Sequence, residues 1–304
     1  MIRLRAVLDA GLRPVDWTAE VWAGSHVQRP VFGGTMLAHE ALPNPPPAPK
    51  ANDPNEAAGG GGTRNAFPLY DFPAKRVIHH LAQETPVRTS SLRGLGALPN
   101  VFALECFVDE LAERAGVDPV AYRLSLLSDA RARRLIENVA GRCGWAMRGA
   151  AGSGRGLGLA WSRYKNKAAY ACVAVELDVD QDVALRRVWC AADAGLVINP
   201  DGARNQLEGG IIHAASMTLK EQVTLGGDGI TSLDWDRYPI LRFSEVPEIE
   251  VEIVDNPDLP TLGMGECTFG PTAAAIGNAV AHALGVRIRD MPLTRERIAA
   301  TLVR

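Results

Sequence analysis

The stretch Thr261-Leu262-Gly263-Met264-Gly265-Glu266-Cys267-Thr268-Phe269-Gly270-Pro271-Thr272 runs without a break into the apolar helix Ala273-Ala274-Ala275-Ile276-Gly277-Asn278-Ala279-Val280. It sets one carboxylate, Glu266, between a glycine-flexed turn and a Gly-Pro turn. A Glu held by glycines at the mouth of a helix reaches a buried ligand with little steric obstruction, and a carboxylate so placed suits a general base. The local pattern equally fits an acidic residue that only complements the helix macrodipole.

Working outward, Glu248–Val254 alternates strictly and reads as a strand with one polar face. Asn199-Pro200 opens a helix expected from Asp201 to about Glu221, with Gly209-Gly210 allowing close backbone approach. Gly152-Ser153-Gly154-Arg155-Gly156-Leu157-Gly158 lacks the Lys-Ser/Thr ending of a phosphate loop and leads into a strand, so it reads as a glycine turn. Strands are expected over 157–164, 168–178 and 185–193. Upstream, helices are expected over 99–115, 120–127 and 130–143, Gly116 stopping the first and Asp118-Pro119 capping the second. Strands precede them, at 76–81 and within 1–40, and a short helix near 294–297 closes the chain. The fold class is α+β, with helices packed on mixed sheets. The organisation is expected as two portions, 1–150 and 151–304. A proline block and the run Gly59-Gly60-Gly61-Gly62 suggest an exposed, poorly ordered insert near 42–63.

Bulk properties exclude several classes. A net charge of −3 without a basic block argues against nucleic-acid binding. No apolar run approaches the roughly 18 residues of a membrane helix. The 5 cysteines lack a Cys-x-x-Cys pair, which argues against a zinc ribbon or iron–sulfur ligation within this chain. The 6 histidines form no cluster, and no side chain is assigned as a metal ligand.

Several ordered motifs carry a resemblance. Gly263-Met264-Gly265-Glu266 with Gly270-Pro271-Thr272-Ala273 resembles the segment bearing the active-site glutamate of molybdenum hydroxylases, the family of xanthine dehydrogenase, aldehyde oxidase and isoquinoline 1-oxidoreductase. Arg93-Gly94-Leu95-Gly96, Asn100-Val101-Phe102-Ala103-Leu104-Glu105, Asp118-Pro119, Asp193-Ala194-Gly195 with Asn199-Pro200, and Gln206-Leu207-Glu208-Gly209-Gly210 resemble further family segments in the expected order. The beta subunits of the isoquinoline type look most similar.

The resemblance implies a molybdopterin-binding domain in which Glu266 is the base of a hydroxylation whose oxygen comes from water. It implies Arg93 as a second catalytic residue, holding charge beside the metal's ligands. Gly94, Leu95, Gly96, Gln206, Gly209, Gly265 and Thr272 would then face the cofactor. For Gln206 a structural role is an open alternative, as is an ordinary cap for Thr272. Leu95 stands where many relatives carry a stacking Phe, which puts purine specificity in doubt.

The Glu-Met-Gly-Gln-Gly pterin loop of the isoquinoline type is absent, so the chain is read as the C-terminal half of a catalytic subunit. It is expected to need its N-terminal half and a small subunit with 2Fe-2S clusters. The cofactor is expected in its cytosine-dinucleotide form with Mo. The substrate would be an N-heteroaromatic compound or an aldehyde. The location would be cytoplasmic, or periplasmic if a twin-arginine leader belongs to the missing half. The competing reading is an inactive fragment or assembly module that keeps the fold.

Overall fold

Period-2 alternation builds the first sheet. In the computed structural model, which describes residues 1–28, 38, 41–44, 50–227 and 229–303, β1 (Ile2–Leu8) runs antiparallel to β2 (Pro14–Ala23), and β3 (Ala74–Leu81) lies parallel on the other side of β2. Trp17, Ala19 and Val21 point inward from β2, and Trp17 stacks on Phe72 with centroids 5.1 Å apart.

Three helices follow: α1 (Ala97–Ala115), α2 (Pro119–Ser125) and α3 (Ala130–Arg142). Gly116 ends α1 in the left-handed region, while Asp118 and Asp129 cap α2 and α3 by accepting from first-turn amides. α1 starts two residues earlier than the sequence pattern indicated. Pro99 sits in its first turn, where a missing N–H costs nothing, so it does not mark the boundary.

The second sheet has strand order β4 (Arg155–Arg163), β5 (Tyr170–Val179), β6 (Val183–Asp193) and β9 (Glu248–Val254). The first three pair antiparallel, and β9 runs parallel to β6 after α4 (Pro200–Leu219) and a two-residue ladder, β7 (Leu225–Gly226) with β8 (Gly229–Ile230). The last elements are α5 (Phe269–Leu284) and α6 (Arg295–Leu302). Helices cover both faces of the second sheet, so β5 reads as a continuous apolar run. Ala171, Val173 and Val175 share a core with Leu207 and Ile211 of α4 and Ile276 of α5. Cys172 and Ala174 share the other core with Leu135, Ile136 and Val139 of α3. Both cores draw on residues from either side of position 150.

α5 carries mostly small residues because it lies directly on the backbone of β4. A Cβ at Gly156 would stand 1.9 Å from the Ala279 carbonyl oxygen, and one at Gly158 2.3 Å from that of Ala275. The glycine pattern at 152–158 is therefore a turn into a strand whose glycines admit a helix.

The exposed insert expected near 42–63 needs correcting at its glycine end. Gly59–Gly62 are all buried. The Gly62 amide donates to Asp53 Oδ2 at 2.7 Å, and the carbonyl of Gly61 accepts from Gly96 N–H at 3.2 Å. The glycines are small so that backbone can pack on backbone, and no flexibility follows from them. Residues 45–49 of the proline block lie outside the described residues, as do 29–37 and 39–40 of the expected strand region.

Candidate active site

Three segments distant in sequence meet at the mouth of α5. The loop before α1 turns sharply, with Gly94 at φ 94° and Leu95 at φ 46°. A Cβ at Gly94 would fall 2.9 Å from Cδ1 of Phe269, so only glycine fits. Leu95 in the left-handed region costs roughly 1 kcal/mol or more. The Gly94 amide exposed by this turn donates to Oε1 of Glu266 at 2.8 Å.

Arg93 ties the same turn together. Its Nε donates to the Gly265 carbonyl at 2.6 Å, and its Nη2 donates to the backbone oxygen of Gln206 at 3.0 Å and to Gln206 Oε1 at 3.1 Å. The guanidinium also lies over the Phe269 ring, 5.1 Å from its centroid, and His213 meets that ring edge-on. Burial lowers the pKa of Arg93, while the charge of Glu266 opposes the shift. Gly209 lies beside the guanidinium at the α4 surface, a Cβ there standing in ordinary contact with Nη1 at 3.9 Å. The site is thus a fork-shaped cation and a backbone donor arranged around one half-buried carboxylate, on a face that keeps Gln206 exposed.

The structure brings together Arg93, Gly94, Gln206, Gly209, Gly265 and Glu266. Leu95 is half-buried beside them, and Gly96 packs against Gly61 instead, where a Cβ would stand 2.4 Å from the carbonyl oxygen. Gln206 is not the buried structural amide that one reading allowed, since it is exposed and bonded to Arg93. Thr272 lies one turn into α5 with its amide on the Thr268 carbonyl, so it is no cap, and its fully buried Oγ1 has no partner. Burial pushes the Cys267 thiol up to about 12, so it stays protonated beside Glu266. Among the described residues no group of three or more His, Cys, Asp or Glu is placed to hold a metal ion.

Sequence reasoning missed Arg64, Tyr164, Lys165 and Phe269. Arg64 is buried, donating from Nε to the Gly59 carbonyl at 2.9 Å, from Nη2 to that of Gly60 at 2.8 Å, and from Nη1 to the Tyr164 hydroxyl at 2.6 Å. Asn100 of α1 donates to the carbonyls of Gly62 and Arg64, at 2.7 and 2.9 Å. Burial raises the pKa of Tyr164, and the charge of Glu266 raises it further. The Lys165 ammonium lies 5.5 Å from the Tyr164 ring centroid, its pKa lowered by burial and by Arg64. The available signal was Arg64, two residues past the glycine run. Tyr164 carried none.

Two family models, both described as molybdopterin cofactor-binding domain, match residues 51–126 and 138–247. Over 258 residues, 79% of this chain, it is 42% identical to one of the subunits of nicotinate dehydrogenase from Pseudomonas putida. Over 246 residues, again 79% of the chain, it is 35% identical to the beta subunit of isoquinoline 1-oxidoreductase from Brevundimonas diminuta. The matched region spans 22% of the first relative and 30% of the second. Among solved structures, quinoline 2-oxidoreductase from Pseudomonas putida 86 superposes with a TM-score of 0.77 at 13% identity, covering 99% of this chain and 62% of that one. Aldehyde oxidoreductase from Desulfovibrio gigas gives 0.76 at 14% identity, covering 100% and 49%. At such identities these two likenesses show the fold alone.

Proposed function

We propose that this chain, which belongs to the molybdenum hydroxylase family, supplies the general base and part of the cofactor wall of an enzyme that hydroxylates an N-heteroaromatic compound or an aldehyde. The observation that carries this reading is the 2.8 Å bond between Gly94 N–H and Glu266 Oε1, which fixes a carboxylate at the mouth of α5 beside the Arg93 fork. The residues present fit a molybdopterin bearing Mo. At the mouth of α5 Gln206 is exposed and Glu266 half-buried, and a Cβ at Gly265 would meet nothing nearer than Gln206 Oε1 at 3.7 Å, so polar groups and open space face the same side. When bound, that group supplies two-electron oxidation at a carbon whose new oxygen comes from water.

The chain's own residues have separable tasks. Glu266 takes the proton released as the new bond to oxygen forms, and Gly94 N–H aims its carboxylate. Arg93 holds the Glu266 turn through the Gly265 carbonyl and gives the site a fixed positive charge where negative charge develops. Gly94, Leu95, Gln206, Gly209 and Gly265 form the surface on which the cofactor lies, while Gly96, packed on Gly61, and the fully buried Thr272 stand behind it. Leu95 gives an apolar wall without stacking, which favours substrates other than purines.

Completion of the site is assigned to the N-terminal half of the molybdenum subunit, and electron removal to a small subunit with 2Fe-2S clusters. The cytosine-dinucleotide form of the cofactor and a cytoplasmic location belong to the same proposal. No helix among the described residues is long and apolar enough to cross a membrane. Co-expression with those two partners tests the proposal: molybdenum and pterin are expected to co-purify with the assembled complex only. Both retained by the isolated chain would contradict it. The alternative, a non-catalytic module with the same fold, requires that the assembled complex turn over equally well without the Glu266 carboxylate.

A further inference from the structure

Phe269 opens α5, and its ring is fully buried. Two neighbours hold that ring in place. The backbone of Gly94 lies so close that a Cβ there would stand 2.9 Å from Cδ1 and 3.2 Å from Cγ. His213 of α4 meets the ring at 82°, with centroids 5.0 Å apart. An aliphatic side chain could fill the same space, but this one presents a π face. The Arg93 guanidinium lies over it, 5.1 Å from the centroid.

What the face contributes follows from the other bonds of Arg93. Nε is committed to the Gly265 carbonyl at 2.6 Å, and Nη2 to the backbone oxygen and Oε1 of Gln206 at 3.0 and 3.1 Å. These bonds pin two nitrogens, yet a planar group can still turn about the line that joins them. Nη1 makes no hydrogen bond to the described residues, and it lies beside Gly209, where a Cβ would be 3.9 Å away. The tilt of the guanidinium therefore decides where Nη1 points, and the ring face is the surface that limits the tilt. Burial strips Arg93 of part of its water, so the face also stands in for solvent beside the cation.

We propose that Phe269 is the positioning residue of Arg93: its π face fixes the plane of the guanidinium and so aims Nη1, the donor left for negative charge at the mouth of α5. The proposal rests on the reading that Arg93 takes part in turnover. It gives the ring a task beyond filling space.

The experiment places mono-, tri- and pentafluorinated phenylalanine at position 269. These keep the ring close to its native size while draining and then reversing the negative charge of its face. Each is compared with wild type and Arg93→Lys, as the full chain and in the assembled enzyme. In the full chain, NMR follows exchange of the Arg93 Nε proton with solvent, its resonance assigned by its loss in Arg93→Lys. Exchange is expected to quicken stepwise with fluorine content, by about tenfold in the pentafluorinated chain, as loss of a partly desolvated cation–π contact implies. In the enzyme, kcat is expected to fall in the same order and by a similar factor, with KM within about twofold and molybdenum content unchanged. A ring that served packing alone would leave both series flat. Flat series, beside an Arg93→Lys enzyme of sharply reduced turnover, overturn the proposal. Faster exchange with normal turnover in Arg93→Lys upholds the hold of the ring on Arg93 and counts against the part of Arg93 in turnover.

Discussion

Glu266 Oε1 and the backbone amide of Gly94 meet at 2.8 Å although 172 residues separate them in the chain. The bond exists because Gly94 adopts φ 94° against the ring of Phe269, which lies three residues beyond the glutamate. One turn therefore depends on the other for its shape, and the arginine at position 93 locks both to α4.

Gly94→Ala tests that mutual dependence. The added methyl would stand 2.9 Å from Phe269 in a conformation that L side chains rarely adopt. Chemical denaturation is expected to show a loss of about 1–3 kcal/mol, and turnover is expected to fall at least tenfold. An unchanged unfolding midpoint would show that the loop rearranges freely.

Arg93→Lys keeps the charge and removes the fork. A lysine cannot donate at once to the Gly265 carbonyl and to both oxygens of Gln206 as Arg93 does. The expected outcome is a kcat reduced by roughly 10²-fold, the lower end of what a positioned group contributes, with the circular dichroism spectrum unchanged. Wild-type turnover would remove Arg93 from the site.

The fold's own polar core sits apart from this chemistry. Arg123 is fully buried, donating from Nε to Glu105 Oε2 at 2.9 Å and from Nη1 to Asp109, while Tyr70 donates to Glu105 Oε1 at 2.7 Å. Arg123→Ala leaves Glu105 without its cation and Asp109 with Arg287 alone, at 3.6 Å, and is expected to cost about 3–5 kcal/mol of stability. A shift of less than 1 kcal/mol in urea unfolding would contradict the pairing.

Asp193 sets a pH dependence. Burial alone would raise its pKa, but hydrogen bonds from Arg131, the Gly195 amide and Asn256 outweigh that and lower it. Because the folded value lies below the unfolded one of about 3.9, this contribution to stability is complete above the unfolded value and is lost as pH falls through the folded one. Thermal unfolding between pH 5 and 2, values on the order of that window, is expected to fall less steeply for Arg131→Gln than for wild type. Parallel curves would remove Asp193 from the account.

Much of the architecture was legible because it rests on local rules. Strict alternation marked Glu248–Val254 to the residue, and Asn199-Pro200 and Gly116 marked a helix start and a helix stop. The central strand β5 also stood out, since both its faces are covered. The site was legible only where a motif carried it, as with Arg93, Gly94, Gln206 and Glu266. The glycine run 59–62 misled because composition cannot distinguish a flexible linker from backbone packed on backbone. Tyr164 was invisible because its partner is Arg64, 100 residues away, and its place is set by two left-handed residues that follow it.

The central claim is a proton accepted by one side chain, and Glu266→Gln in the assembled, molybdenum-loaded enzyme tests it most directly. The substitution keeps the shape and an acceptor for Gly94 N–H but removes the base. The account predicts kcat down by roughly 10²- to 10⁴-fold at unchanged molybdenum and pterin content. Near-normal turnover at the same cofactor loading would contradict it.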